Sequence, residues 1–358
     1  MTASLPDRLA ARTLELVDIP SQSGDEAAIG SHVLSLLQDA GAQVRDAGDT
    51  CILAGTTTRG DRPLILLAGH LDTVPAQSNI PGRIDADAVH GLGAADMLGS
   101  LAVMLELALC DRSGDAIDCG FVFFGREELG QAESALTPLL EREPGLRGAD
   151  LVVMMEPTAN DLHLGCLGNI NATWTFRGRS GHSARPWLAD NAIHRAAAGI
   201  SELAAHPAVA HEFAGLTFTE VMSVTTISGG MAANVIPDTV TAHVNHRYAP
   251  GTSAAAAAAH LHGICDMHGE LLITSNAPSG PVPKDNPLVA ELARAAGAAT
   301  QPKQAWTPVA EFALVGLDAV NFGPGDPAHA HTRDEHVSIA ALVHAHDALA
   351  TLLATGAG

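Results

Sequence analysis

The sequence predicts an α/β domain with a largely parallel sheet, interrupted by an inserted α+β domain. Three observations predict this arrangement. Short apolar runs bounded by Gly, Pro and Asp alternate with helical patterns. Three of the four strongest runs lie before residue 156 and the fourth lies after 318. The stretch between, about residues 170–280, instead alternates apolar and polar residues as half-exposed strands do. The expected domains are therefore a discontinuous α/β domain of residues 1–169 and 281–358, with residues 170–280 inserted.

Taken in chain order, helical patterns cover residues 6–17 and 26–40, and the run LILLA at 64–68 is the first buried strand. A helix over 98–109 follows, then the strands GFVFF at 120–124 and LVVMM at 151–155. The insertion reads as a strand at 172–177, a helix at 192–205, a strand at 239–246 and a helix at 254–267. Its alanine run at 254–259 suits a solvent-facing helix, because alanine is the best helix former. A helix at 286–296, the strand AVNF at 319–322 and a helix at 338–353 complete the first domain.

Composition narrows the function. A chain of 358 residues has room for about two domains, and 47% hydrophobic with 16% charged residues is too apolar for a disordered one. The net charge of −21 repels phosphate backbones and anionic lipid, which excludes nucleic acid and membrane surfaces as partners. The best candidate membrane segment, residues 101–110, is interrupted by Glu106. The N-terminal residues, with Pro6, Asp7 and Arg8, lack the apolar core of a signal peptide. A soluble, cytoplasmic protein is expected. The five cysteines are scattered and form no CxxC pair, which argues against disulfides or a thiolate zinc site and for buried reduced thiols.

Ligands of open α/β sheets collect beyond the carboxyl ends of the strands. Every one of the four runs leads there to side chains able to bind metal. LILLA leads to His70 and Asp72, GFVFF to Glu127 and Glu128, and LVVMM to Glu156. AVNF leads through a Gly-Pro-Gly-Asp turn to His329 and His331, and Asp96 precedes the 98–109 helix. One acid in a loop is ordinary. Carboxylates and imidazoles gathered after four strands would repel unless cations neutralise them. The donor types suit zinc, with cobalt or manganese as substitutes. Their number exceeds the three ligands of one catalytic zinc and fits a pair of metals, which activate water and polarise a carbonyl.

The motifs HLDTVP (70–75), GLGAADM (91–97), EELG (127–130), MEPT (155–158), GRSGHSARP (178–186), NVIPD (234–238) and GPGDPAHAHTRDEHV (323–337) together resemble the M20 metallopeptidases. Within that family they are most similar to the actinobacterial succinyl-diaminopimelate desuccinylases. The resemblance implies a zinc-exopeptidase-like, three-layer catalytic domain and an inserted domain that dimerises and acts as a lid. By the same resemblance His70 and Glu156 hold one zinc, Glu128 and His331 the other, and Asp96 bridges them. Asp72 is expected to hydrogen-bond His70 and fix its tautomer, and Glu127 to act as general base. His182 is expected to reach a neighbouring subunit's site and stabilise the oxyanion, making the protein a homodimer. Arg247 falls where the family binds a substrate carboxylate, with Asn234 nearby.

The activity implied is hydrolysis of N-succinyl-LL-2,6-diaminopimelate to succinate and the free diamine. Some positions depart from that branch: Leu98 stands where a Lys is common, and Pro308 and Glu311 where Asp and Arg are usual. These changes favour as alternatives an aminoacylase, a carboxypeptidase-like enzyme or a deacylase of another N-acyl amino acid. A nucleotide-binding reading of residues 91–96 fails because the sixth position is Asp96. A serine-hydrolase reading of residues 178–182 fails because His182 occupies the last glycine of GxSxG.

Overall fold

The computed structural model describes residues 3–356. The chain divides into two compact units: one runs to Gly165 and resumes over Pro283–Gln301 and from Thr307 onward, and the other comprises Cys166–Val282 and Pro302–Trp306. The boundaries thus fall at 165/166 and 282/283, where 169/170 and 280/281 were expected. Local bonding accounts for the difference. The Cys166 and Gly280 amides exchange hydrogen bonds of 3.1 Å, Leu167 N–H donates to Ala305 O, and the Trp306 indole donates to Pro278 O.

The first unit is built on an eight-stranded sheet. Its order from edge to edge is Val44–Gly48, Cys51–Gly55, Asp118–Phe124, Leu64–His70, Leu151–Met154, Ala319–Asn321, Leu162–Leu164 and Thr300–Pro302. The four central strands are the four apolar runs of the sequence, and all pair in parallel. Each is almost wholly buried, as continuous apolar runs demand. Of the outer strands, Val44–Gly48, Cys51–Gly55 and Leu162–Leu164 join antiparallel; the first is mostly exposed and the last has three residues, whereas Cys51–Gly55 is buried and apolar yet escaped the sequence reading. Helices Leu5–Val17, Gly99–Ala108 and Ile339–Thr355 pack on one another, and Pro287–Ala296 packs on the last of these.

Helix Gly99–Ala108 is buried along nearly its whole length, its one acid included. Glu106 is compensated by the Arg8 guanidinium at 2.8 Å and that of Arg12 at 3.9 Å. The helix starts at Gly99, one residue past the expected 98, but a turn the sequence did not announce precedes it. Residues 94–98 form a wide turn in which Asp96 (φ −127°, ψ 93°) and Met97 leave helical geometry. Four cysteines are buried, but Cys110 is exposed, contrary to expectation, because it lies just past the end of this helix.

The inserted unit is a five-stranded antiparallel sheet, ordered Val209–Phe213, Leu216–Gly229, Thr239–Tyr248, Gly168–Arg177 and Glu270–Ala277. Strict alternation of burial along Gly168–Arg177 puts Ile170, Ala172, Trp174 and Phe176 on one face. These side chains form a core with Ala192, Ala196 and Leu203 of helix Ala192–Ala205 and Ala257 and Leu261 of helix Ala254–Cys265. The alanine-rich helix is thus amphipathic, not wholly solvent-facing. The long strand Leu216–Gly229 escaped the sequence reading because almost none of it is buried. Among the described residues no helix is long and apolar enough to cross a membrane.

Candidate metal centre

His70 is the last residue of its strand and fully buried. Its Nδ1 lies 2.9 Å from the backbone carbonyl of Asp72, which makes Nδ1 the protonated nitrogen and frees Nε2 as a donor to a cation. That Nε2 faces Asp96 Oδ1 at 3.2 Å and Glu156 Oε1 at 4.0 Å. The second oxygen of Asp96 is 3.5 Å from His331 Nε2, which in turn lies 2.9 Å from Glu128 Oε1. One carboxylate therefore stands between two imidazoles. Donor atoms of His70, Glu127 and Glu128 lie within 4.8 Å of one another, as do those of Asp96, Glu128 and His331.

Asp72 departs from expectation. Its carboxylate is 3.7 Å from His70 Nδ1, and its own backbone carbonyl takes the hydrogen bond instead. The buried carboxylate accepts the backbone N–H groups of Glu127 (3.0 Å) and Glu128 (3.1 Å) and the hydroxyl of Ser23 (2.7 Å). It shapes the loop that carries the two glutamates.

Two loops at the site hold non-glycine residues in the left-handed region, Arg126 at φ 62° and His331 at φ 60°. Such backbone costs of order 1–3 kcal/mol and persists only where its surroundings impose it. Arg126 N–H donates to buried Glu26 Oε1, and its guanidinium binds Asp49 and the Glu133 carbonyl. The His331 carbonyl accepts from Gln77 Nε2 at 2.8 Å. Gly323 and Gly325 allow the closing loop to press in: a Cβ on Gly325 would stand 2.2 Å from the Ala95 carbonyl, and one on Gly323 2.6 Å from that of Glu156.

The electrostatics are those of a site built around positive charge. Burial, reinforced by Glu156, Glu128 and Asp96, pushes the Glu127 carboxyl well above its ordinary range despite His70. Burial also opposes ionisation of Asp96, but hydrogen bonds from His331 and His70 win and hold it below the usual carboxylate range. Hydrogen bonds to Asp96 and Glu128 lift His331 to about 10. Burial pulls His70 down, yet Asp96, Asp72 and Glu127 outweigh it and keep it well above its ordinary value. Without a cation the imidazoles carry the countercharge. Nitrogen and oxygen donors with no thiolate suit zinc, cobalt or manganese.

His182, Asn234 and Arg247 belong to the inserted unit. His182 pairs with Val235 in a two-stranded ribbon, and the adjoining Ser183 N–H donates to the Asn234 carbonyl, so His182 and Asn234 share one small structure. Arg247 lies on strand Thr239–Tyr248, and its Nε donates to Asn245 Oδ1 at 3.0 Å. Asn245 is itself bonded to Asn169 and Asn171 on the neighbouring strand. Burial lowers the Arg247 guanidinium from its ordinary value.

The sequence reading missed the buried acids behind the loops. Glu26 accepts from Gly24 and Arg126, and Glu335 from Gly93, Ala95 and Asp96. Glu335 lies in the same motif as His331, but beside exposed Asp334 its burial leaves no trace in the sequence.

A parallel sheet whose strand ends converge on carboxylates and imidazoles defines a metallohydrolase, and its family is shown directly. Residues 66–355 match the profile of peptidase family M20/M25/M40, and the chain belongs to that family of hydrolases. Relatives include the succinyl-diaminopimelate desuccinylase of Corynebacterium glutamicum, 33% identical over 91% of both chains. A Mycobacterium tuberculosis protein that carries the same name provisionally is 38% identical over 94% of this chain and 95% of its own. The N-acetyl-L-citrulline deacetylase of Xanthomonas campestris is 28% identical over 90% of each. Among solved structures, a Staphylococcus aureus tripeptidase shares the fold with a TM-score of 0.78 at 20% identity, over 97% of both chains. A dinuclear metal-binding M20 peptidase of Bacillus subtilis shares it with 0.68 at 19% identity, over 98% and 97%. The chain is a metal-dependent amidohydrolase of this family.

Proposed function

We propose that the protein is a cytoplasmic homodimer that hydrolyses N-succinyl-LL-2,6-diaminopimelate to succinate and LL-2,6-diaminopimelate. The observation that carries the reading is Asp96 between His70 and His331 with Glu127 beside them, in a chain whose relatives bear the desuccinylase name across nearly their whole length. His70 and Glu156 would hold one Zn2+ and Glu128 and His331 the other, with Asp96 shared. The paired ions, when bound, supply Lewis-acid polarisation of the amide carbonyl and a water of lowered pKa.

The protein groups then divide the remaining work. Glu127 takes one proton from the attacking water, whose oxygen bonds to the carbonyl carbon. As the C–N bond breaks, Glu127 delivers that proton to the departing nitrogen, so water is added across the amide. The backbone of Ala184 donates to His182 Nδ1 at 3.1 Å, which leaves the proton on Nε2, the donor needed by an oxyanion. His182 acts on the site of the neighbouring subunit, the dimer forming through the inserted unit. Arg247 and Asn234 bind a substrate carboxylate, the guanidinium as a fork.

The second reading is a deacylase of another N-acyl amino acid. It is favoured by Glu311, a buried carboxyl bonded to Thr137 where the desuccinylase pattern has a cation, and by the citrulline deacetylase relative. Incubating zinc-loaded protein with N-succinyl-diaminopimelate beside N-acetyl-citrulline and other N-acyl amino acids separates the two by release of free amine. Selective succinyl cleavage supports the first reading. Cleavage of a different member alone moves the assignment to that compound, and an inert protein with two metals bound overturns both.

A further inference from the structure

Three backbone N–H groups of the turn that carries Asp96 point at a single buried side chain. Glu335 is 2% exposed; its Oε2 accepts from Gly93 at 2.8 Å, and its Oε1 accepts from both Ala95 and Asp96 at 3.0 Å. These amides have no acceptor within a helix, because they stand at the start of the 94–98 turn and ahead of helix Gly99–Ala108. Buried without an acceptor, each would cost about 1–3 kcal/mol. The link crosses the fold: Glu335 sits at the start of the segment leading into strand His336–Ser338, which pairs with Ala88–His90 just before the turn. The backbone of Gly91 also donates to the Glu335 carbonyl at 3.0 Å, so side chain and main chain of one residue grip both ends of the Gly91–Asp96 segment.

We propose that Glu335 is a positioning residue for the metal pair, acting through Asp96. By fixing the N–H of Asp96 and those of Gly93 and Ala95 just before it, it sets the orientation in which one carboxylate offers Oδ1 to the His70 side and Oδ2 to the His331 side. A bridging carboxylate has little freedom, since each oxygen must meet a different ion, and groups behind the ligands commonly govern affinity by 10–100-fold. Glu335 touches neither ion nor substrate. The inference rests on the two-metal reading above, and its test separates the two.

The test is titration of metal-free protein with Co2+, followed by calorimetry and by the cobalt visible spectrum, together with the melting temperature of the metal-free forms. Wild type is expected to bind two Co2+ per chain; if it binds none, the two-metal reading itself fails. Given two sites in wild type, Glu335→Ala is expected to weaken Co2+ binding by roughly 10–100-fold and to alter the cobalt spectrum. Glu335→Gln keeps an oxygen for Ala95 and Asp96 but turns an amide toward Gly93, and is expected to lose several-fold, recovering part of the affinity. Wild-type affinity and spectrum in Glu335→Ala, with or without a lowered melting temperature, would overturn the proposal. Should Glu335→Ala fail to fold, the same result in Glu335→Gln would overturn it.

Discussion

The carboxylate of Asp72 accepts the backbone N–H of Glu127 at 3.0 Å, although 55 residues separate them in the chain. Asp72 follows strand Leu64–His70, and Glu127 follows its parallel neighbour Asp118–Phe124. The contact therefore ties together two strand ends, one carrying His70 and the other both glutamates. Asp72→Ala should strip an acceptor from Glu127, Glu128 and Ser23 at once. The expected result is a 10–100-fold loss of zinc affinity with a matching fall in kcat/KM. Zinc content after dialysis against a graded chelator measures it, and wild-type retention would show that the loop is held by other contacts.

The proposed roles separate Glu127 from the residues around it. If it moves the proton and His70, Asp96, Glu128, Glu156 and His331 hold the ions, Glu127→Gln should keep two metals per chain and nearly unchanged KM. Its kcat should fall by about 10²–10⁴-fold, the range of a lost general base. Metal analysis beside steady-state kinetics decides the point, because loss of an ion in this variant would make Glu127 a ligand.

His182 Nδ1 accepts the Ala184 amide, which turns Nε2 into the nitrogen that donates. Removing one oxyanion donor costs on the order of 10²–10³ in kcat, so His182→Ala should fall by that amount with little change in KM. Mixing His182→Ala with Glu127→Gln chains tests whether the donor acts between subunits. A mixed dimer would hold one site with both groups intact, and recovered activity is expected. A mixture as inactive as its components would place His182 in its own subunit's site.

Arg247 Nε donates to Asn245 Oδ1, a bond that would orient the guanidinium if Arg247 binds the substrate carboxylate as proposed. Asn245→Ala should raise KM several-fold while leaving kcat close to wild type, a smaller version of the effect of Arg247→Ala. Equal KM in Asn245→Ala and wild type would show that Arg247 is oriented without it.

What the sequence disclosed and what it concealed follow from range. The four parallel strands were legible because burial on both faces demands unbroken apolar runs, and each run leads within ten residues to a candidate metal-binding side chain. The helix after Asp96 was legible to within a residue of its start, but the kinked turn before it was not, since the carboxylate that accepts its amides belongs to Glu335, some 240 residues away. The resemblance implies a bond from Asp72 to His70, whereas its carboxylate accepts the amides of Glu127 and Glu128, because nothing near Asp72 in sequence tells that a second strand end is brought beside it. Glu26 and Glu335 were invisible for the same reason: burial of an acid is decided by the amides brought to it from elsewhere.

Glu311 offers a test that needs neither metal nor substrate. It is 1% exposed, and burial raises its carboxyl to about 7 against the hydrogen bond from Thr137. The ordinary carboxyl near 4.5 is that of the unfolded chain. Between these values the folded state holds the proton more tightly, so the folded protein loses stability as pH rises from about 4.5 through 7, then levels off. At about 1.4 kcal/mol per pKa unit the full difference is about 3 kcal/mol. Glu311→Gln removes the ionisation while keeping the shape. Its stability relative to wild type should be unchanged with pH below about 4.5 and should rise toward pH 8 by up to about 3 kcal/mol. Taking the difference between the two proteins cancels other groups with raised values, Glu335 among them. Urea unfolding at pH 4.5, 6 and 8 supplies the comparison, and a difference independent of pH would mean that Glu311 meets a compensating positive charge when it ionises.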